Sequence, residues 1–230
     1  MIFNLISSGF FLLVIGAVIP IFAWASKKKM DEGGWAIRRL PFYGEAVAVQ
    51  LVLLPLAFWC ASANKIEVSF QFPAKISVMF PGFLLLAVAL ATMWLTWPRT
   101  SQVRRDRLIA IVPVTGAERI AWIGVSTVAA IAEETIYRGV LIGTLLGLTE
   151  SWWLSAVVSS VMFGLGHLVQ GWKSAGIVMV FGFSFHLLVL ISETLFVAIA
   201  VHFLYDLIVG LVVGGTVKVV DPRSIDAETV

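Results

Sequence analysis

The chain has 230 residues, 60 % of them hydrophobic and 13 % charged, with a mean hydropathy of +0.97. A soluble domain of this length cannot hide that much apolar surface, so lipid must be its solvent. The net charge of +2, with basic residues scattered between apolar runs, excludes a nucleic-acid partner, and the single Cys60 excludes an internal disulfide or a multi-cysteine metal site.

Near-continuous apolar runs predict an all-α, polytopic membrane helix bundle with about seven transmembrane helices. In chain order the runs are Ile2–Ala25, Phe42–Ala63, Ile76–Trp97, Ile120–Leu146, Trp152–Leu168, Ala175–Ile191 and Thr194–Gly214. The first has no basic residue before it and Lys27-Lys28-Lys29 after it, the pattern of a retained anchor and not of a cleavable signal peptide. With the N-terminus outside, thirteen Lys and Arg fall in the inner connections and two, Lys65 and Lys75, in the outer ones. The positive-inside rule therefore predicts N-terminus out and C-terminus in. Thr115 followed by Glu118 resembles a capping box that starts the fourth helix just before the membrane. The spacing of Gly139, Gly143 and Gly147, and of Gly210 and Gly214, predicts close helix packing.

Charge inside the spans is costly, roughly 2.5–3.5 kcal/mol for each group at a helix centre. It is also unevenly divided. The first three spans hold Glu45 near a membrane edge and little else, whereas the last four hold Glu133, Glu134, Arg138, His167, His186, Glu193, His202 and Asp206. On a helix Glu134 and Arg138 can pair at i,i+4, while Glu133 turns away on the face of Tyr137. His167 lies four residues after Phe163 and Asp206 four after His202, each pair on one face. A carboxylate, two imidazoles and a further acid suffice for water-mediated hydrolysis, one acid taking the proton of water and the imidazoles orienting it or stabilising an oxyanion. His186 and Glu193 stand outside these motifs, His186 expected as a hydrogen-bonded packing residue and Glu193 as the outer end of its span.

The ordered set Glu133-Glu134-x-x-x-Arg138, Phe163-x-x-x-His167 and His202-x-x-x-Asp206 resembles the motifs of the type II CAAX prenyl endopeptidase and bacteriocin-processing family of intramembrane proteases, also called the ABI family. The resemblance covers about residues 118–214. It implies an intramembrane glutamate-type endopeptidase in which Glu133 activates water, His167 helps hold it, and His202 and Asp206 stabilise the oxyanion. Glu134, Arg138, Tyr137 and Phe163 would support them. The prenyl-processing branch has Asn where this chain has Asp206, and an ionised carboxylate repels an oxyanion, so Asp206 is protonated, orients His202, or leaves that task to another group.

No cofactor is expected; zinc held by Glu133, His167, His202 and Asp206 is the alternative. The expected partners are the bilayer and a peptide or protein substrate with a membrane-embedded or lipidated segment, in a multi-pass protein of a prokaryotic inner or plasma membrane. The chain divides into one integral-membrane domain: framework spans (1–97), a cytoplasmic basic loop (98–119), a catalytic bundle (120–214) and a tail (215–230). The alternative reading is a non-catalytic bacteriocin-immunity or binding membrane protein with the same motifs.

Overall fold

The computed structural model describes residues 4–33, 37–73 and 75–217. Ile2 at the start of the first expected span, and the tail from residue 218 with Lys218 and Arg223, lie outside them. Eight helices of ten or more residues occur among the described residues, with a short 3₁₀ turn, Leu168–Gln170, between the sixth and seventh: α1 (Leu5–Asp31), α2 (Arg39–Asn64), α3 (Ile76–Arg99), α4 (Gln102–Ile111), α5 (Gly116–Thr149), α6 (Trp152–Gly166), α7 (Trp172–Ser192) and α8 (Leu195–Gly215). Six of them are long and apolar enough to cross a membrane. The expected fifth span is the exception. It forms the 15-residue α6, about 22 Å long at 1.5 Å per residue, against about 30 Å of hydrocarbon.

Local chemistry sets these boundaries. Thr115 and Glu118 form the full capping box, and the Glu118 carboxylate also accepts from the Val114 amide at 2.8 Å. Ser151 and Thr194 cap α6 and α8 through their hydroxyls. In α1 a π-helical turn, Val14–Val18, precedes Pro20, whose missing N–H cannot continue the α-helical ladder.

The α5 helix lies at the centre. Its Ile136, Tyr137, Val140 and Leu141 meet Phe11 and Ile15 of α1, Ala57 and Cys60 of α2, and Phe163 of α6 in one buried core. By contrast, only 11 % of the apolar window of α3 is buried within the protein, so α3 presents most of its surface to lipid. Two glycines let α8 close on the start of α5: a Cβ at Gly210 would strike the Trp122 indole, and one at Gly214 would strike the Pro113 carbonyl. The Trp122 Nε1–H then donates to the Asp206 carbonyl at 3.0 Å.

The connections form two polar ends. At one, the basic connection between α3 and α5 contains α4, and its Arg side chains find fixed acceptors. Arg104 of α4 donates to Ser174 Oγ at 3.0 Å, Arg107 pairs with Asp31, and Tyr43 and Arg39 of α2 donate to the Ile111 and Ile109 carbonyls at 2.8 and 3.0 Å. At the other, the extended segment 66–73 is tied to the start of α8 by Leu195 N–H to Ser69 O (2.9 Å) and Thr194 Oγ1 to Gln71 O (2.7 Å). Gly139 and Gly143 leave room for Val68 and Ile66 of this segment, so the glycine stripe seats extended chain as well as helix.

Candidate active site

The two acids stand where α5 changes its winding. A π-helical stretch, Glu134–Leu141, begins immediately after Glu133. Such a stretch widens the turn and re-aims side chains, and hydropathy alone carries no sign of it. Glu134 is fully buried and accepts from Arg138 Nη1 at 3.1 Å, as the i,i+4 spacing predicts. The guanidinium lies 4.1 Å from the Phe163 ring centroid and 5.2 Å from that of Phe185, so the cation is held by a carboxylate and two aromatic faces. The same Glu134 oxygen, Oε1, also accepts from His202 Nδ1 at 2.7 Å. Glu134 therefore orients an imidazole as well as holding the arginine.

Glu133 faces the other way. Its Oε1 accepts from Gln50 Nε2 of α2 at 2.9 Å, and its Oε2 lies 3.8 Å from His167 Nε2 and 3.8 Å from His202 Nε2. His167 stands where α6 ends, at φ −95°, ψ 12°, and its Nδ1 is 2.8 Å from the Phe163 carbonyl. A carbonyl only accepts, so Nδ1 carries the hydrogen and Nε2 of the neutral ring is left bare toward Glu133. Asp206, one turn beyond His202 on α8, places Oδ2 3.4 Å from His202 Nε2. The four expected catalytic residues thus form one cluster drawn from α5, the end of α6, and α8.

Supporting residues pack directly behind it. The Phe163 ring meets Tyr137 edge-on at 4.9 Å and His167 at 4.6 Å, linking the second motif to the first. Glu133, His167, His202 and Asp206 all line one cavity of about 280 Å³ whose remaining wall is largely apolar, including Phe181 and Val178 of α7. Arg138 forms part of the same wall. Among the described residues, no group of three His, Cys, Asp or Glu side chains is arranged to hold a metal ion.

Two residues depart from the expectation. Gln50 sits on a helix assigned to the framework, yet it holds one Glu133 oxygen; a lone amide in the middle of an apolar run is the signal that could have found it. His186 is corrected from a hydrogen-bonded packing residue, since it is 2 % exposed and neither ring nitrogen has a hydrogen-bond partner among the described residues.

Comparison with known proteins returns the family that the sequence resembles. Residues 115–208 match the family described as type II CAAX prenyl endopeptidase Rce1-like, a protease family, over less than half of the chain. All four clustered residues fall inside the matched stretch. No curated protein and no solved structure matches the chain.

Proposed function

We propose, from the premise that residues 115–208 carry the Rce1-like protease region, that this chain is a membrane-embedded endopeptidase in which Glu133 activates the hydrolytic water. One observation supports this above all others. A single carboxylate oxygen stands 3.8 Å from two imidazole nitrogens contributed by different helices. That separation is too long for direct hydrogen bonds and leaves space for one bridging oxygen among the three atoms.

A water seated there donates to Glu133 Oε2 and to the bare Nε2 of His167, leaving a lone pair for the peptide carbonyl carbon. Glu133 takes the proton and returns it to the departing amine. His202, with Nδ1–H fixed on Glu134, donates from a protonated Nε2 to the developing oxyanion. Asp206 has no proton to give when ionised, so its place 3.4 Å from Nε2 suits orienting His202. Gln50 holds the other Glu133 oxygen and keeps Oε2 turned to the water. No metal enters these steps.

The basic end of the bundle faces the cytoplasm in this reading, within a prokaryotic plasma membrane. The substrate is a membrane-embedded or lipidated peptide; peptide precursors and C-terminal sorting signals fit better than prenylated proteins, given Asp206. The test is mass spectrometry of candidate peptides incubated with detergent-purified wild type and with Glu133→Gln. Wild type should yield new termini with or without a chelator, and the variant should yield none while unfolding at the same temperature. Normal turnover by Glu133→Gln sinks the assignment.

A further inference from the structure

The α6 helix brings His167 to the site, so its register against α5 decides how far that imidazole stands from Glu133. Ser159, Phe163 and His167 follow one another at i, i+4 and i+8, along one face of α6 and its end. Glu133 and Tyr137, at i and i+4, share a face of α5. These residues meet in order. Ser159 Oγ donates to the Tyr137 carbonyl at 3.1 Å, the Phe163 ring packs on the Tyr137 ring at 4.9 Å, and His167 Nε2 stands 3.8 Å from Glu133 Oε2.

The bond from Ser159 differs from those of the hydroxyls around it. Ser160, Thr135 and Thr144 turn back to carbonyls of their own helices, at 2.6, 2.7 and 2.9 Å. Ser159, with no exposed surface, reaches across to a carbonyl of the π-helical stretch instead. A widened turn sets its carbonyls off the α-helical ladder, where a neighbouring side chain can bond to them. The surroundings are apolar, with Val158 and Met162 of α6 packed against the buried core that contains Tyr137, Val140 and Leu141. Apolar faces in lipid do little to fix a register, because lipid tails are as apolar as the side chains they replace. A buried hydroxyl does fix it, since a slip away from its acceptor leaves it unpaired.

We propose that Ser159 is a positioning residue: its bond to the Tyr137 carbonyl pins α6 on the π-helical turn of α5 and so sets the gap between Glu133 and His167. The effect on catalysis rests on the protease reading; the bond does not. A displacement of about 1 Å near reacting groups costs about a hundredfold in rate, whereas one hydrogen bond between membrane helices adds little to stability. Rate and stability therefore separate.

Of the three tyrosines, Tyr137 alone precedes an arginine, so carbonyl-labelled tyrosine combined with nitrogen-labelled arginine singles out its carbonyl for solid-state NMR of the intact chain in lipid. Ser159→Ala should move that resonance upfield and lower kcat at least about tenfold, with KM and unfolding temperature near those of wild type. Ser159→Thr, which keeps the hydroxyl, should restore both the resonance and the rate. Ser160→Ala, which removes the adjacent hydroxyl bonded within α6, should change neither. An unmoved resonance in Ser159→Ala overturns the proposal without any substrate. A moved resonance with wild-type kcat, or an equal loss of rate in Ser160→Ala, refutes positioning. A wild type that cuts no peptide sinks the protease reading instead, and the carbonyl result still decides the bond.

Discussion

Glu133 and Glu134 are adjacent in sequence and opposite in consequence. The side chain of Glu133 keeps 15 % of its surface open to the cavity, whereas that of Glu134 keeps none and compensates the buried Arg138. Glu134→Gln leaves that guanidinium without its counter-charge, a loss of about 3–5 kcal/mol for a broken buried pair. Thermal unfolding in detergent should therefore shift clearly downward for Glu134→Gln and stay in place for Glu133→Gln. An unshifted Glu134→Gln would mean that the aromatic faces of Phe163 and Phe185 hold the arginine alone. These acids were legible in the sequence because charge inside an apolar run costs free energy that an ordinary anchor has no means to recover. Gln50 was not, because an uncharged amide barely disturbs hydropathy and its partner is 83 positions away. His186 stood out as an ionisable residue, but the lack of a partner is a property of packing that no spacing encodes.

At the scale of elements, apolar run length predicted most helices, and turn and cap chemistry predicted where α5 begins. The winding of α5 after Glu133 escaped, since the i→i+5 pattern depends on what neighbouring helices demand of the backbone. The fold of α4 escaped for a related reason: a short polar helix is marginal alone and is held here by contacts from its arginines. Glycine spacing, in contrast, marked a real constraint. Gly214 lies against the Pro113 carbonyl, so Gly214→Val forces α8 away from the start of α5 and from the Trp122–Asp206 bond that steadies the site. It should cost about 1–3 kcal/mol or more, seen as a lowered unfolding temperature, whereas Gly9→Ala, with open space around its Cβ, should have little effect. Equal behaviour of the two variants would show that the α5–α8 contact is not tight in the membrane.

For the molecule as a whole, six helices among the described residues are long and apolar enough to span, and α6 stops early. Trp153, Leu154, Val157 and Val161 are exposed along one side of α6, and His167 stands at the end where it stops. A bilayer meeting a segment roughly 8 Å below its preferred hydrocarbon thickness must pinch inward to match it. In the protease reading, headgroups and solvent drawn down beside the imidazole would meet the peptide bond at a dimple, where a fully immersed bond would have to be dehydrated. Reconstitution into phospholipids of graded acyl length should show the effect, with cleavage fastest in the shorter chains and declining as the tails lengthen. A rate indifferent to tail length would mean that the neighbouring helices shield α6 from the lipid and absorb the mismatch themselves.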